Sequence, residues 1–124
     1  PEAMRAAQPG FRHSGGLHAA ALLEASGRVI LVREDVGRHN AVDKVLGAWL
    51  GGGRPPGPVA LLVSSRAGFE IVQKAAAAAV PIVAAVGAAS SLAIEFARSR
   101  GLTLAAFVRE GRATIYAGEA RLID

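Results

Sequence analysis

The chain has 124 residues, 52% of them hydrophobic and 19% charged, with no cysteine; this suits one compact domain and excludes a disulfide framework, a thiolate nucleophile and a Cys-ligated zinc site. Fourteen Lys and Arg against ten acids give a formal charge of +4, which favours anionic partners; scattered basic residues and 5% aromatics argue for a small phosphorylated ligand over nucleic acid. The most apolar stretch, Ala75 to Ala89, is interrupted by Pro81 and Gly87 and falls short of the ~20 apolar residues a membrane helix needs.

The opening run to Arg12 begins with proline and is mixed in character, so residues 1–12 read as a leader from a longer protein and 13–124 as the domain. Gly15-Gly16-Leu17-His18 opens an apolar run to Leu23, Glu24-Ala25-Ser26-Gly27 interrupts it, and Val29-Ile30-Leu31-Val32 resumes it. This spacing predicts a β-hairpin with a Ser-Gly turn. From Asn40, the residues Ala41, Val42, Val45, Leu46, Trp49 and Leu50 recur at helical spacing until Gly51-Gly52-Gly53. A Pro-rich loop then leads to Val59–Val63, an uninterrupted apolar run that suits a buried parallel strand.

Ser64 or Ser65 is expected to cap the next helix, in which Glu70 and Lys74 stand at the favourable i, i+4 spacing and which ends before Pro81. Ile82 to Val86 is the next buried strand, and Gly87 to Ser91 a small-residue turn. Leu92 to Arg100 forms a short helix that Gly101 stops, and Thr103 to Val108 a strand that turns at Glu110-Gly111 into Ala113 to Tyr116. The order is β-β-α-β-α-β-α-β-β. Strands joined by helical crossovers run parallel, so those ending near Arg33, Val63, Val86 and Val108 should finish at one rim of the sheet. Three helices begin at that rim and offer free N–H groups to an anion.

Three segments at that rim carry candidate chemistry. The stretch from Arg33 to Lys44 holds eight polar residues in twelve; it is either a solvated helix entry capped by Asp35 or Asn40, or a loop in which Arg38 and His39 meet anionic groups. Ser64-Ser65-Arg66 could hold a phosphate at a helix start, with Arg66 supplying charge, although it is not a Walker loop and no G-x-G-x-x-G occurs. Phe107-Val108-Arg109-Glu110-Gly111-Arg112 places two guanidiniums beside a glycine turn, and Arg38, Arg66, Arg109 and Arg112 would then converge from separate loops. His18 follows two glycines and reads as structural or ligand-adjacent, while Trp49 and Tyr116 read as core or interface residues. A hydrolase built on Asp35, Asp43 or His39 ranks last, because no nucleophile and base stand in a recognisable arrangement.

Ser14-Gly15-Gly16-Leu17-His18-Ala19-Ala20, then Val32 to Val45 (VREDVGRHNAVDKV), resemble successive motifs of the formate dehydrogenase accessory family FdhD. Ser65-Arg66 with Phe69-Glu70 and Val72-Gln73-Lys74 is similar to its next motif. Gly87 through Leu92, followed by Leu102 to Tyr116, looks like its closing segment. The sequence departs from the pattern where Ser65 stands for glycine and Ala89 for a frequent proline, and the family's upstream Cys-x-x-Cys segment is absent.

The resemblance implies a cytidine deaminase-like, three-layer α/β/α fold with a mixed, mostly parallel sheet. It also implies a cytoplasmic homodimer that takes persulfide sulfur from a cysteine desulfurase and passes it to the molybdenum bis(molybdopterin guanine dinucleotide) cofactor of formate dehydrogenase. This chain would be the cofactor-binding portion, with GDP as a surrogate ligand. Phe107 to Arg112 match the segment assigned to the guanine dinucleotide, and Arg38, His39, Ser65, Arg66 and His18 complete the expected site. Deaminase zinc chemistry is not expected: His39 is followed by Asn40-Ala41 rather than by x-Glu, and the other helix start carries Ser65-Arg66 in place of Cys-x-x-Cys.

Overall fold

The computed structural model describes residues 17–52, 60–109 and 112–118. The expected leader, Gly15-Gly16, the Pro-rich loop and Glu110-Gly111 lie outside the described residues. The elements follow the expected order: β1 (His18–Leu23), β2 (Val29–Asp35), α1 (Arg38–Gly51), β3 (Ala60–Val63), α2 (Phe69–Ala77), β4 (Ile82–Ala85), α3 (Ser91–Arg100), β5 (Thr103–Arg109) and β6 (Arg112–Ala117). They form one six-stranded sheet in the order β2-β1-β3-β4-β5-β6. β3, β4 and β5 pair in parallel, and β1 is antiparallel to both β2 and β3, so β2 runs in the same direction as those three. Four strands therefore share a direction, although β1 separates β2 from the rest and β6 returns antiparallel to β5.

Right-handed crossovers that all step the same way across a sheet put their helices on one face. The core confirms this placement: Leu22, Leu61, Val63, Val83 and Leu104 of the sheet pack in one cluster with Val42 and Val45 of α1, Ile71 and Val72 of α2, and Ala93 and Ala97 of α3. Alanines at the fully buried contacts Ala75, Ala93 and Ala97 let the helices lie close to the strands. On the opposite face Ala19, Ala21 and Leu62 form a second, smaller cluster. The sheet and the three helices on one of its faces thus make two of the three expected layers, and no helix covers the opposite face among the described residues.

α1 buries Ala41, Val42, Val45, Leu46 and Trp49, five of the six residues in the stripe that its apolar spacing predicts; Leu50, the sixth, is exposed. α3 begins at Ser90, whose hydroxyl accepts the Ala93 N–H at 3.1 Å, and ends at Gly101 with φ 71°, where glycine meets no left-handed penalty. α2 ends differently. The Val80 N–H donates to Ala75 O at 2.9 Å and the Ala79 N–H to Ala76 O at 3.0 Å, a Schellman closure whose left-handed position is Ala79 at φ 61°.

Three sequence expectations fail for tertiary reasons. α2 starts only at Phe69, with Gly68 as an N-cap that has no side-chain bond, so Ser64 and Ser65 are too far upstream to cap it. Lys74 pairs with Asp43 of α1 at 2.8 Å rather than with Glu70, because the neighbouring helix presents a carboxylate where Lys74 reaches. Neither Asp35 nor Asn40 caps α1; its N-cap is Gly37.

The left-handed alanine gives a direct test. Ala79 is exposed, so Ala79→Gly removes backbone strain without touching the core. It should raise the unfolding free energy by about 0.5–1 kcal/mol, net of the added chain entropy, as read by urea denaturation; a loss of stability would contradict this helix end.

Candidate functional site

The shared direction of β2, β3, β4 and β5 brings their carboxyl ends, Asp35, Val63, Ala85 and Arg109, to one rim. The antiparallel strands β1 and β6 begin there, with His18 opposite Asp35 and Arg112 opposite Arg109. Every sequence-predicted site residue that is described therefore sits at this rim or in a loop or first helical turn beside it.

The segments are stitched together beyond the ends of the strands. The Ser64 N–H donates to Ala19 O at 3.0 Å, and the Ser64 hydroxyl accepts the Ala19 N–H at 2.8 Å, which fixes the start of β1 next to His18. The Gly87 N–H donates to Ser65 O at 3.1 Å, and the Phe107 N–H donates to Gly87 O at 2.9 Å. One glycine thus joins the Ser65-Arg66 loop to the end of β5. A Cβ on Gly87 would lie 3.2–3.3 Å from the Arg66 backbone. The sequence places this glycine in a small-residue turn and at the head of the segment that resembles the family's closing motif, and its position directly after a buried strand is the signal for a close backbone approach.

At Phe107 the backbone turns left-handed, with φ 53°, and the β5–β6 register shifts between Ala106 and Arg109. A bulky residue in that region costs on the order of 1–3 kcal/mol and persists only where the surroundings impose it. The bulge opens onto a shallow concavity of about 550 Å³ lined by Phe107, Arg109, Arg112, Ala113 and Thr114. Val108 is half-buried on the strand between them.

The polar stretch at the start of α1 divides into engaged and free groups. Asp35 Oδ2 meets Lys44 Nζ at 2.8 Å, while Oδ1 accepts the Gly37 N–H at 3.0 Å and Asn40 Nδ2 at 3.4 Å. Lys44 also donates to Glu34 O at 3.0 Å. The Lys44 contact first, then the Gly37 amide, hold the Asp35 carboxyl well below its ordinary range, at about 2. Within the same stretch, Glu34 Oε2, Arg38 Nε and His39 Nδ1 are buried with no hydrogen-bond partner. Buried polar atoms are normally paired.

The four arginines do not converge on one point. β2 and β5 are separated by three strands, so the Asp35–His39 region and the Phe107–Arg112 region stand roughly 19 Å apart at normal strand spacing. Ser65 and Arg66 lie between them, on the β3 side of Gly87. With Asp35 held by Lys44 and Asp43 by Lys74, both carboxylates of the hydrolase reading are engaged in ion pairs. Among the described residues, no three His, Asp or Glu side chains cluster as metal ligands, and no helix is long and apolar enough to cross a membrane.

A sequence model described as the FdhD/NarQ family matches residues 1–123. The sulfur carrier protein FdhD of Anaeromyxobacter sp. (strain K) is 55% identical over 128 residues, covering 98% of this chain and 44% of the relative. The protein of the same name from Streptomyces avermitilis is 52% identical over 123 residues, covering 98% and 44%. A crystal structure of a protein proposed as a formate dehydrogenase accessory protein, from Desulfotalea psychrophila, superposes with a TM-score of 0.90 at 33% identity, over 98% of this chain and 52% of that one. The chain spans about half the length of these relatives.

Two expectations follow from the geometry. Asp35 has a folded pKa below its unfolded value, so its network stabilises the protein above pH ~4 and that contribution fades as pH falls from 3.8 toward about 2. Lys44→Met should move the Asp35 titration up toward 3.8, as followed by carboxyl NMR, and flatten the stability slope in that window. Gly87→Ala should displace the Ser65-Arg66 loop, and amide exchange at Gly87 and Phe107 should accelerate; unchanged protection there would contradict the tight approach.

Proposed function

Because the chain belongs to the FdhD/NarQ family, we propose that it is the cofactor-binding portion of a sulfur-transfer accessory protein serving formate dehydrogenase. In this reading the sulfur comes as a persulfide from a cysteine desulfurase. Its destination is the molybdenum bis(molybdopterin guanine dinucleotide) cofactor, which is cargo for this protein, and the assembly is a homodimer. The observation that carries the proposal is the rim, where Arg38 at the start of α1, Arg66 in the loop after β3, and Arg109 and Arg112 at the facing ends of β5 and β6 are brought to one edge of the sheet.

The residues suit such a cargo. Guanidiniums grip phosphate oxygens through paired hydrogen bonds, and Arg38 Nε and His39 Nδ1 are buried atoms in want of partners. A spread of roughly 19 Å between the two outer groups fits a ligand of dinucleotide length better than a single phosphate. When bound, the cofactor supplies the metal centre at which sulfur is received. The chain's own part is to hold and orient it: Arg109 and Arg112 at the β5–β6 end, Ser65 and Arg66 in the middle, Arg38 and His39 at the β2 end, with His18 beside Ser64.

Sulfur carriage itself needs a thiolate, and this sequence has no cysteine. Incubated with a desulfurase and labelled cysteine, the chain should remain unlabelled; reductant-releasable label on it would overturn this division of roles. A plain phosphate-binding module is the second reading, favoured by the helix starts at the same rim. Calorimetry with GDP, ADP and inorganic phosphate separates the two. Arg112→Ala should weaken GDP roughly tenfold or more, the effect of losing one desolvated charge-assisted contact. Equal GDP affinity in wild type and variant would sink the site, and equal affinity for GDP and ADP would favour the plain phosphate module.

A further inference from the structure

Among the described residues the exposed large apolar side chains are Val36, Leu50, Leu92 and Phe107. Leu50 lies in the last turn of α1, far from the rim, and the other three stand at the rim. Phe107 borders the concavity described above, but neither Val36, 74% exposed, nor Leu92, 63% exposed, has a part in holding phosphates. Isolated exposed apolar residues need no explanation; two that the fold fixes in place beside arginines do. The turn that carries Val36 is held by the Gly37 N–H and Lys44 Nζ, which donate to the Asp35 carboxylate at 3.0 and 2.8 Å. Leu92 sits in the first turn of α3, where the Ser90 hydroxyl accepts the Ala93 N–H and the Ser90 N–H donates to Ala67 O at 3.0 Å. Both side chains thus reach into water from a fixed backbone, which lowers the entropic cost of covering them.

Val36 follows β2 and Leu92 follows β4, with Ser65 and Arg66 after β3 between them. Three strand spacings put them roughly 14 Å apart, and one protein contact of ~800 Å² per partner, roughly 30 Å across, covers both. The exposed Arg33, Arg66, Arg109 and Arg112, with Arg38, outweigh Glu34 and Glu70 at this rim, because Asp35 is paired with Lys44. Apolar side chains set among arginines are the composition of a protein interface, and the excess of positive charge calls for an acidic partner. A second copy of this chain seated rim to rim would set arginine against arginine. Resting on the reading of the rim as a cofactor-binding face, we propose that Val36 and Leu92 are docking anchors for the recipient enzyme, a formate dehydrogenase still without its cofactor. That enzyme meets the rim with apolar hollows in an acidic surface around its open cavity. The protein that takes the cargo then covers the rim that holds it, and the cargo passes across without release into solvent.

The test measures binding of the full chain to immobilised, cofactor-free formate dehydrogenase of the same organism, with GDP affinity and melting temperature alongside. It compares wild type with Val36→Ser, Leu92→Ser, the double variant and Leu50→Ser. Each single rim variant should weaken docking severalfold and the double variant about tenfold or more, while Leu50→Ser stays within about twofold of wild type. GDP affinity should remain within about twofold throughout, and melting should be unchanged, because these side chains lie in water. Docking of the wild type should weaken as salt screens the arginines. The inference is overturned if the double variant docks like wild type, if Leu50→Ser weakens docking as much, or if salt has no effect. It also falls if GDP affinity or melting drops in step with docking, which would make Val36 and Leu92 parts of the cofactor site or of the fold. A wild type that is dimeric by light scattering and a double variant that is monomeric would assign the patch to a second copy and overturn it as well. Wild type that binds GDP but not the enzyme removes the inference alone. Binding of the enzyme without GDP removes the cofactor reading and keeps the docking surface, and binding of neither removes both.

Discussion

The close approach of the Gly87 peptide to the Ser65-Arg66 backbone is the constraint on which the rest of the rim depends. β3 and β4 are short and stop at Val63 and Ala85, yet their pairing continues into the loops. Val86 N–H donates to Val63 O, Gly87 N–H to Ser65 O and Phe107 N–H to Gly87 O, while Ala67 and Ala89 form an isolated parallel bridge. Loops held by backbone bonds on both sides keep their shape without a ligand, and that preorganisation lowers the entropic cost of binding. A side chain at position 87 would push the Arg66 backbone away and loosen both neighbours at once.

Much of this architecture was legible because it rests on backbone rules. The apolar spacing of Ala41 to Trp49, Gly101 after α3, and the uninterrupted runs of β3 and β4 each have one dominant cause. The order of crossovers then leaves little choice of topology. What stayed hidden depends on which side chains become neighbours. Lys74 had a suitable partner in Glu70 by sequence, but α1 brought Asp43 to 2.8 Å. Ser64 looked like a helix cap and became the anchor of β1. Phe107 carries no turn signature at all; its left-handed backbone follows from a bulge that only the pairing of β5 with β6 creates.

The dense polar stretch from Arg33 to Lys44 illustrates how bland and functional readings can both hold. Asp35, Asn40 and Lys44 bind one another and the Gly37 and Glu34 backbone, which is the work of a structured helix entry. The same clamp fixes the first turn of α1, where Arg38 and His39 hold buried atoms without partners. Orphaned atoms of this kind carry a desolvation cost of about 1–3 kcal/mol each, a cost that a water or a bound group at this end would offset. The helix entry is thus rigid on its inner side and chemically incomplete on the other.

Separation across the sheet decides what sort of ligand the rim can recognise as a whole. A lone phosphate bound at Arg109 and Arg112 would gain nothing from Arg38, because at roughly 19 Å, beyond the ~8 Å Debye length of physiological salt, exposed charges hardly interact. On the proposed reading, selectivity for a long ligand would arise from summing contacts that are individually independent, with the second contact favoured by the effective concentration that the first creates. Each end alone would then bind weakly and admit many phosphates. Only a molecule that reaches from the strained turn at Phe107 past Arg66 to the start of α1 would engage both, so that reading makes ligand length the discriminating property of the rim.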